Sequence, residues 1–112
     1  MKGGKVPKKA KRSAKIAQVL VKIRECIEAD RYVETIHFQL RKLQRNIDFQ
    51  DVLFVLLNGR HEARKDQYDE SFQSWNYAIR GRSLDDEEIR VVISFDDEGL
   101  LIITAFYLNE NV

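Results

Sequence analysis

Cysteine is almost missing from this chain: Cys26 stands alone. One thiol excludes an intramolecular disulfide and fits a reducing compartment, which points to a cytoplasmic protein. The helical pattern around Cys26 makes a small buried side chain a simpler reading than a reactive one. Histidine occurs twice, as His37 and His61, with no close spacing to each other or to Cys26. That leaves no zinc-type ligand set, so neither a metal nor any other cofactor is expected. Long apolar runs are missing too. No window reaches the roughly 18 residues a membrane-spanning helix needs. The basic start lacks the apolar run and small-residue cleavage site of a secretory signal. No membrane is expected among the partners. No internal repeat is evident, and 112 residues suffice for one domain but not two.

What is present is a soluble balance, 44% hydrophobic and 33% charged. The net charge of +1 conceals a split. Residues 1–15 carry seven Lys and Arg and no acid, whereas the remainder carries twelve basic and eighteen acidic residues. The one proline, Pro7, and two of the five glycines, Gly3 and Gly4, fall in residues 1–12. That stretch offers almost nothing to bury and reads as a disordered basic arm. An arm of this kind on an acidic body can reach for nucleic acid or an acidic partner, or simply solubilise the chain. The folded domain then spans residues 13–108, and residues 109–112 form a tail.

Helical signals come first. Ser13 is available as an N-cap, and Ile16, Val19, Leu20, Ile23 and Ile27 recur at helical spacing, which predicts a helix over about Ala14 to Ala29. Arg31 to Ile36, with β-branched Val33, Thr35 and Ile36, suits a brief strand or an extended link. A second helix is expected to start near His37 with Thr35 as its cap. It places His37, Arg41 and Arg45 on one drifting polar stripe and Leu40, Leu43 and Ile47 on a core face. Asp48 is a good N-cap for a third helix, with Ile47 and Val52 at staple spacing. Phe49, Val52, Leu53, Leu56 and Leu57 form its expected buried stripe, and Asn58-Gly59 its end, with Gly59 available for a left-handed conformation.

After Gly59 the period shortens to two. Arg60 to Tyr68 is polar and suits an edge strand. Trp75, Tyr77 and Ile79 alternate with Asn76, Ala78 and Arg80 as in a half-buried strand. Gly81 to Glu88 is a charged turn, and Ile89, Val91, Ile93 and Phe95 share one face of the next strand. Asp96 to Gly99 is a hairpin turn. Leu100 to Leu108 is nearly continuously apolar, which predicts a central position. The order predicts an α+β fold, with N-terminal helices on one face of a three- to four-stranded antiparallel sheet.

The run Thr35-Ile36-His37-Phe38, with Arg41, Arg45, Ile47 and Asp51-Val52 after it, has later counterparts in Asn58-Gly59, Tyr77, Gly81, Val91-Val92-Ile93, Thr104 and Tyr107. Together these resemble DUF4258, a small and mostly bacterial domain family of unknown function, over roughly residues 32–108. Three positions depart from the family pattern. Phe38 replaces a small residue, Lys42 stands where methionine is common, and Asn46 where glycine is common. The resemblance implies a grouping by fold with the RelE, barnase and MqsR-like toxins, many of which are ribonucleases. It therefore implies RNA as a substrate and a cognate antitoxin protein as a partner, although a shared fold does not fix a function.

Cleavage of RNA through its 2′-hydroxyl needs a base, an acid and cations at the phosphate. His37 can carry the proton and Arg41 with Arg45 can hold phosphate oxygens, with Tyr107 completing a catalytic group. Arg80, Tyr77 and Thr104 are candidate substrate contacts from the sheet. Strand parity sets Tyr77 against Arg80 and Thr104 against Tyr107, and of these Arg80 and Tyr107 are preferred. Blander readings compete. His37 can be a capping or packing residue, and Arg41 and Arg45 a solvated face. Trp75, Tyr77 and Phe95 suit the core, and His61 the surface. Asp85 to Glu88 and Asp96 to Glu98 are solvated turns without calcium-loop spacing. Two functions remain: a metal-independent ribonuclease acting as the toxin of a toxin–antitoxin pair, or a non-catalytic module binding protein or RNA through the sheet and the arm. The acidic body counts against the first. Gathering of His37, Arg41 and a tyrosine in one cleft favours the ribonuclease; their dispersal favours the module.

Overall fold

The computed structural model describes residues 12–108. Most of the basic arm, residues 1–11, and the tail, residues 109–112, lie outside the described residues. The described chain runs α1 (Val19–Glu28), β1 (Tyr32–Glu34), α2 (Ile36–Arg45), α3 (Phe49–Asn58), β2 (Arg60–His61), β3 (Gln67–Asp69), β4 (Ser74–Arg82), β5 (Glu88–Asp96) and β6 (Gly99–Tyr107). The strands lie in the order β1-β6-β5-β4-β2, with β3 pairing farther along β4. The fold is α+β, but the sheet has six strands rather than three or four, and β1 runs parallel to β6. The polar stretch after Gly59 accounts for part of the excess. A 3₁₀ turn at Ala63–Lys65 splits it into β2 and β3, and both pair with β4.

Register assigns each side chain to a face. Rows such as Tyr77–Ile93–Ile102 and Ile79–Val91–Ala105 point to the core, while Ala78–Val92–Thr104 and Arg80–Arg90–Phe106 point away from it. The core rows pack under α1 and α3, which contribute Val19, Ile23 and Cys26 from one helix and Val52, Val55 and Leu56 from the other. Full burial of each large apolar side chain stabilises by about 1.5–3 kcal/mol. The opposite rows form an outer face that no helix covers among the described residues.

The first helix is shorter than its apolar period suggests. It begins at Val19, and Ser13 caps nothing. Residues before it are drawn across the sheet instead. The Trp75 indole donates to Ser13 O (2.8 Å), the Ile16 amide donates to the Tyr77 hydroxyl (2.9 Å), and Lys15 pairs with Asp66 (2.9 Å). Arg12, assigned by composition to the arm, pairs with Glu70 (3.1 Å). The third helix follows its local signals closely. The Asp48 carboxylate accepts from Gln50 N, and Ile47 and Val52 are both buried. Gly59, however, is extended at φ −85, not left-handed. Glycine is needed there because a Cβ would stand 2.6 Å from both Arg80 O and Val55 O.

α2 departs most from expectation. Thr35 caps it as predicted, accepting from Phe38 N (3.1 Å). Yet Leu40 and Leu43 are 54% and 77% exposed, with Ile36 at 76%, while Phe38 is fully buried. The inward ridge is Phe38, Lys42 and Arg45, at i, i+4 and i+7. The cause is the neighbour. β1 pairs only with Leu100 to Ile102, so the second half of β6 is not the central strand its composition suggests but a free edge. α2 lies along that edge, where bare carbonyls require donors rather than hydrocarbon. Arg45 supplies one to Ala105 O (2.9 Å). β6 itself carries a bulge: Val92 faces Thr104 and Ile93 faces Ile102, so Ile103 is the extra residue.

Candidate functional site

The outer face holds two adjoining grooves that share Asn76. The first, of about 700 Å³, lies between the start of α2 and the β3–β4 turn. Phe72, Leu101 and Ile103 give it apolar walls; Asp69, Asp96 and Asp97 add carboxylates, and His37 stands over it from α2. The second, of about 340 Å³, is lined by Lys65, Gln67, Arg90, Val92 and Phe106 among others.

Around the second groove the sequence has placed cations on an aromatic ring. Phe106 has two guanidiniums close to its ring, Arg45 at 5.7 Å and Arg90 at 5.8 Å from its centre. Arg45 also donates to Thr104 Oγ1 (3.2 Å). Arg90 is fixed by Glu62, whose other oxygen takes Arg80 (2.7 and 3.4 Å), and Arg80 also pairs with Glu88. The Arg90 hydrogen bond, reinforced by Arg80, holds the Glu62 carboxyl below its ordinary value although burial opposes this. Glu88 is lowered chiefly by Arg80, with Arg82 and Arg60 adding to it, and Arg80 is raised in turn, first by Glu88 and then by Glu62. Glu88 is therefore an ion-pair partner of the sheet rather than part of a solvated turn. Arg45 has no carboxylate partner among the described residues.

The structure divides the sequence-predicted residues. Arg45, Thr104 and Arg80 share the outer face around Phe106, and His37 belongs to the adjoining groove. Arg41, beside His37 on the helix flank, donates to Gln44 (2.6 Å). Tyr77 and Tyr107 lie on the core side. Tyr77 is 2% exposed, and its hydroxyl is occupied by the Ile16 amide. Tyr107 donates to Asn46 O (3.2 Å), and burial, then Glu87 and the other nearby carboxylates, pushes its hydroxyl above the ordinary value. The preferred pair, Arg80 and Tyr107, thus faces opposite ways. Alternation with Ile89 and Val91 would have found Arg90 from sequence. Phe106 could not be found that way, because its side depends on the bulge at Ile103.

His61 is also not plain surface. Its Nε2 meets Asp66 at 2.8 Å, and the Asp66 carboxylate is wholly enclosed, held as well by Lys15 and the Ala78 amide. Burial of that charge is tolerable because the Lys15 ammonium, the His61 ring and an amide surround it. This cluster ties the residues before α1 to β2, β3 and β4. Among the described residues, no group of three or more His, Cys, Asp or Glu is placed to hold a metal, and no helix is long and apolar enough to cross a membrane.

Fold and site together define a small α+β domain whose sheet keeps one face packed under helices and presents the other, charged and grooved, to solvent. The profile of DUF4258, a domain of unknown function, matches residues 35–107, and the chain belongs to that family. No curated protein and no solved structure matches it significantly.

Proposed function

We propose that this domain binds single-stranded RNA on the outer face of its sheet, in the basic groove around Phe106. The observation that carries this reading is the Phe106 ring with the Arg45 and Arg90 guanidiniums at 5.7 and 5.8 Å from its centre, and Thr104 and Lys65 nearby. An aromatic face offers a platform to any base, worth about 1–3 kcal/mol per stacked base. The flanking guanidiniums suit phosphate oxygens, and Glu62 orients one of them in advance. The basic start of the chain adds charge that steers a polyanion towards an otherwise acidic body.

A second reading is metal-independent cleavage of the bound RNA, as the grouping with ribonuclease toxins implies. His37 on the same face favours it. Two features favour binding over it. His37 and Arg45 are eight residues apart on one helix, a rise of about 12 Å, and the Arg45 guanidinium is engaged by Thr104 Oγ1 and Ala105 O at the far end. Tyr107 faces the other side of the sheet. The test is fluorescence anisotropy with a labelled mixed-sequence RNA across a salt series. Phe106→Ala should weaken binding roughly 5- to 150-fold, the equivalent of one lost stack. Unchanged affinity would remove the reading. Gel analysis of the same RNA in chelator tests the second: cleavage by the full chain that disappears in His37→Ala would replace a binding module with a nuclease.

A further inference from the structure

We infer that the first groove, the acidic one beside His37, is a docking site for a cationic peptide segment of a partner protein that also carries apolar side chains. The two halves of the outer face differ in how their charges are compensated. In the basic half, both carboxylates are consumed: Glu62 by Arg90 and Arg80, and Glu88 by Arg80 and Arg82. In the other half, Asp69, Asp96 and Asp97 pair with no cation among the described residues. Asp69 and Asp96 each spend one oxygen on their own turns. Asp69 Oδ1 accepts from Ser71 N (2.9 Å) and Phe72 N (3.2 Å), and Asp96 Oδ1 from Glu98 N (2.8 Å) and Gly99 N (3.1 Å). The turns thereby hold both carboxylates in place and leave each Oδ2 free to accept from a ligand.

Three negative charges, two of them held in place by their turns, exclude a polyanion from this half and select a cation. The apolar walls select more than charge. Phe72 is 80% exposed on the β3–β4 turn, and with Leu101 and Ile103 it offers hydrocarbon that gains by being covered. A polyamine or a bare lysine run satisfies the carboxylates and leaves these walls wet. A peptide with lysine or arginine among leucine or phenylalanine satisfies both. The chain's own first eleven residues fit less well. They hold five lysines but only Met1 and Val6 as larger apolar side chains. A second copy of the body, with its excess of acids, fits less well still.

The test uses the full chain and a labelled synthetic peptide of alternating lysine and leucine. An all-lysine peptide of equal charge and an alternating glutamate–leucine peptide serve as controls. The alternating cationic peptide should bind at least tenfold more tightly than either control. Binding should weaken about tenfold or more in Asp69→Asn/Asp97→Asn, and again in Phe72→Ser. Glu25→Gln/Glu28→Gln, which removes the same charge from α1, should leave it unchanged. Backbone resonances of the unaltered protein keep the proposal testable if a variant misfolds. Peptide should shift Ser94, Leu101 and Ile103. Equal binding of the all-lysine peptide, equal loss in the α1 variant, or shifts confined to α2 would overturn the assignment. So would movement of Lys5, Lys8 and Lys9 resonances in Asp69→Asn/Asp97→Asn without peptide, which would identify the chain's own start as the occupant. Shifts at Leu101 and Ile103 caused by RNA would likewise overturn it, giving this half to nucleic acid.

Discussion

α2 and α3 are both ten residues long, both capped at their start by a side-chain oxygen, and both striped with apolar residues at helical spacing. One turns its stripe inward and the other turns it out. α3 lies on the face of the sheet, where Ile79, Ile89 and Val91 offer hydrocarbon. α2 lies along the free edge of β6, where the chain offers carbonyl oxygens. A helix facing an edge has to bring donors, and Arg45 is the donor that α2 brings. The Lys42 stem lies inward for a related reason: its ammonium pairs with Glu34 (2.7 Å) and sits over the Phe38 and Phe49 rings. Amphipathicity therefore states that a helix has two sides. The neighbour decides which side is used.

The comparison breaks most clearly at buried positions. Leu56→Ala in α3 and Phe38→Ala in α2 remove side chains with 2% exposure or less. Each should cost about 2–5 kcal/mol, read by denaturant unfolding. An α2 variant that melted like wild type would show that the helix is not seated by Phe38. Arg45→Met tests the edge itself. It keeps a long apolar stem and removes the donor to Ala105 O, so a loss of about 1 kcal/mol is expected, with faster amide exchange in the last residues of β6. Leu43→Gln marks the small end. The side chain is 77% exposed, and the change should stay within about 0.5 kcal/mol. A loss comparable to Leu56→Ala would place Leu43 in a core and refute the outward orientation.

These differences also mark what the sequence could and could not convey. Features set by neighbours in the chain were legible: the caps at Thr35 and Asp48, the Ile47–Val52 staple, and the Asp96–Gly99 hairpin, where Gly99 takes φ 135. Features set by distant partners were not. α1 stops short of Ala14 because Lys15 and Ile16 are claimed by Asp66 and Tyr77, far along the chain. The outward turn of Leu40 follows from where β1 ends. Within the site, Arg45 and Thr104, candidates for catalysis and for substrate contact, meet through a hydrogen bond that joins α2 to β6. The Tyr77 hydroxyl takes the Ile16 amide, a partner far along the chain that no local pattern announces. Arg90 is legible from its alternation with Ile89 and Val91, whereas the side taken by Phe106 depends on the bulge at Ile103.

The bulge at Ile103 divides β6 into two half-strands of opposite phase. Leu100 and Ile102 are core residues by even number, Ala105 and Tyr107 by odd. The strand is thus written with a frameshift that the fold reads correctly only if the extra residue is counted. Removing Ile103 would leave a regular strand with every later side chain on its present face; keeping it in a strand without the bulge would transpose everything after it, turning Thr104 and Phe106 into the core and Ala105 and Tyr107 outward. Any alignment or graft that carries this strand to another protein must therefore place its single-residue gap at Ile103, or it will transfer the right letters to the wrong side of the sheet.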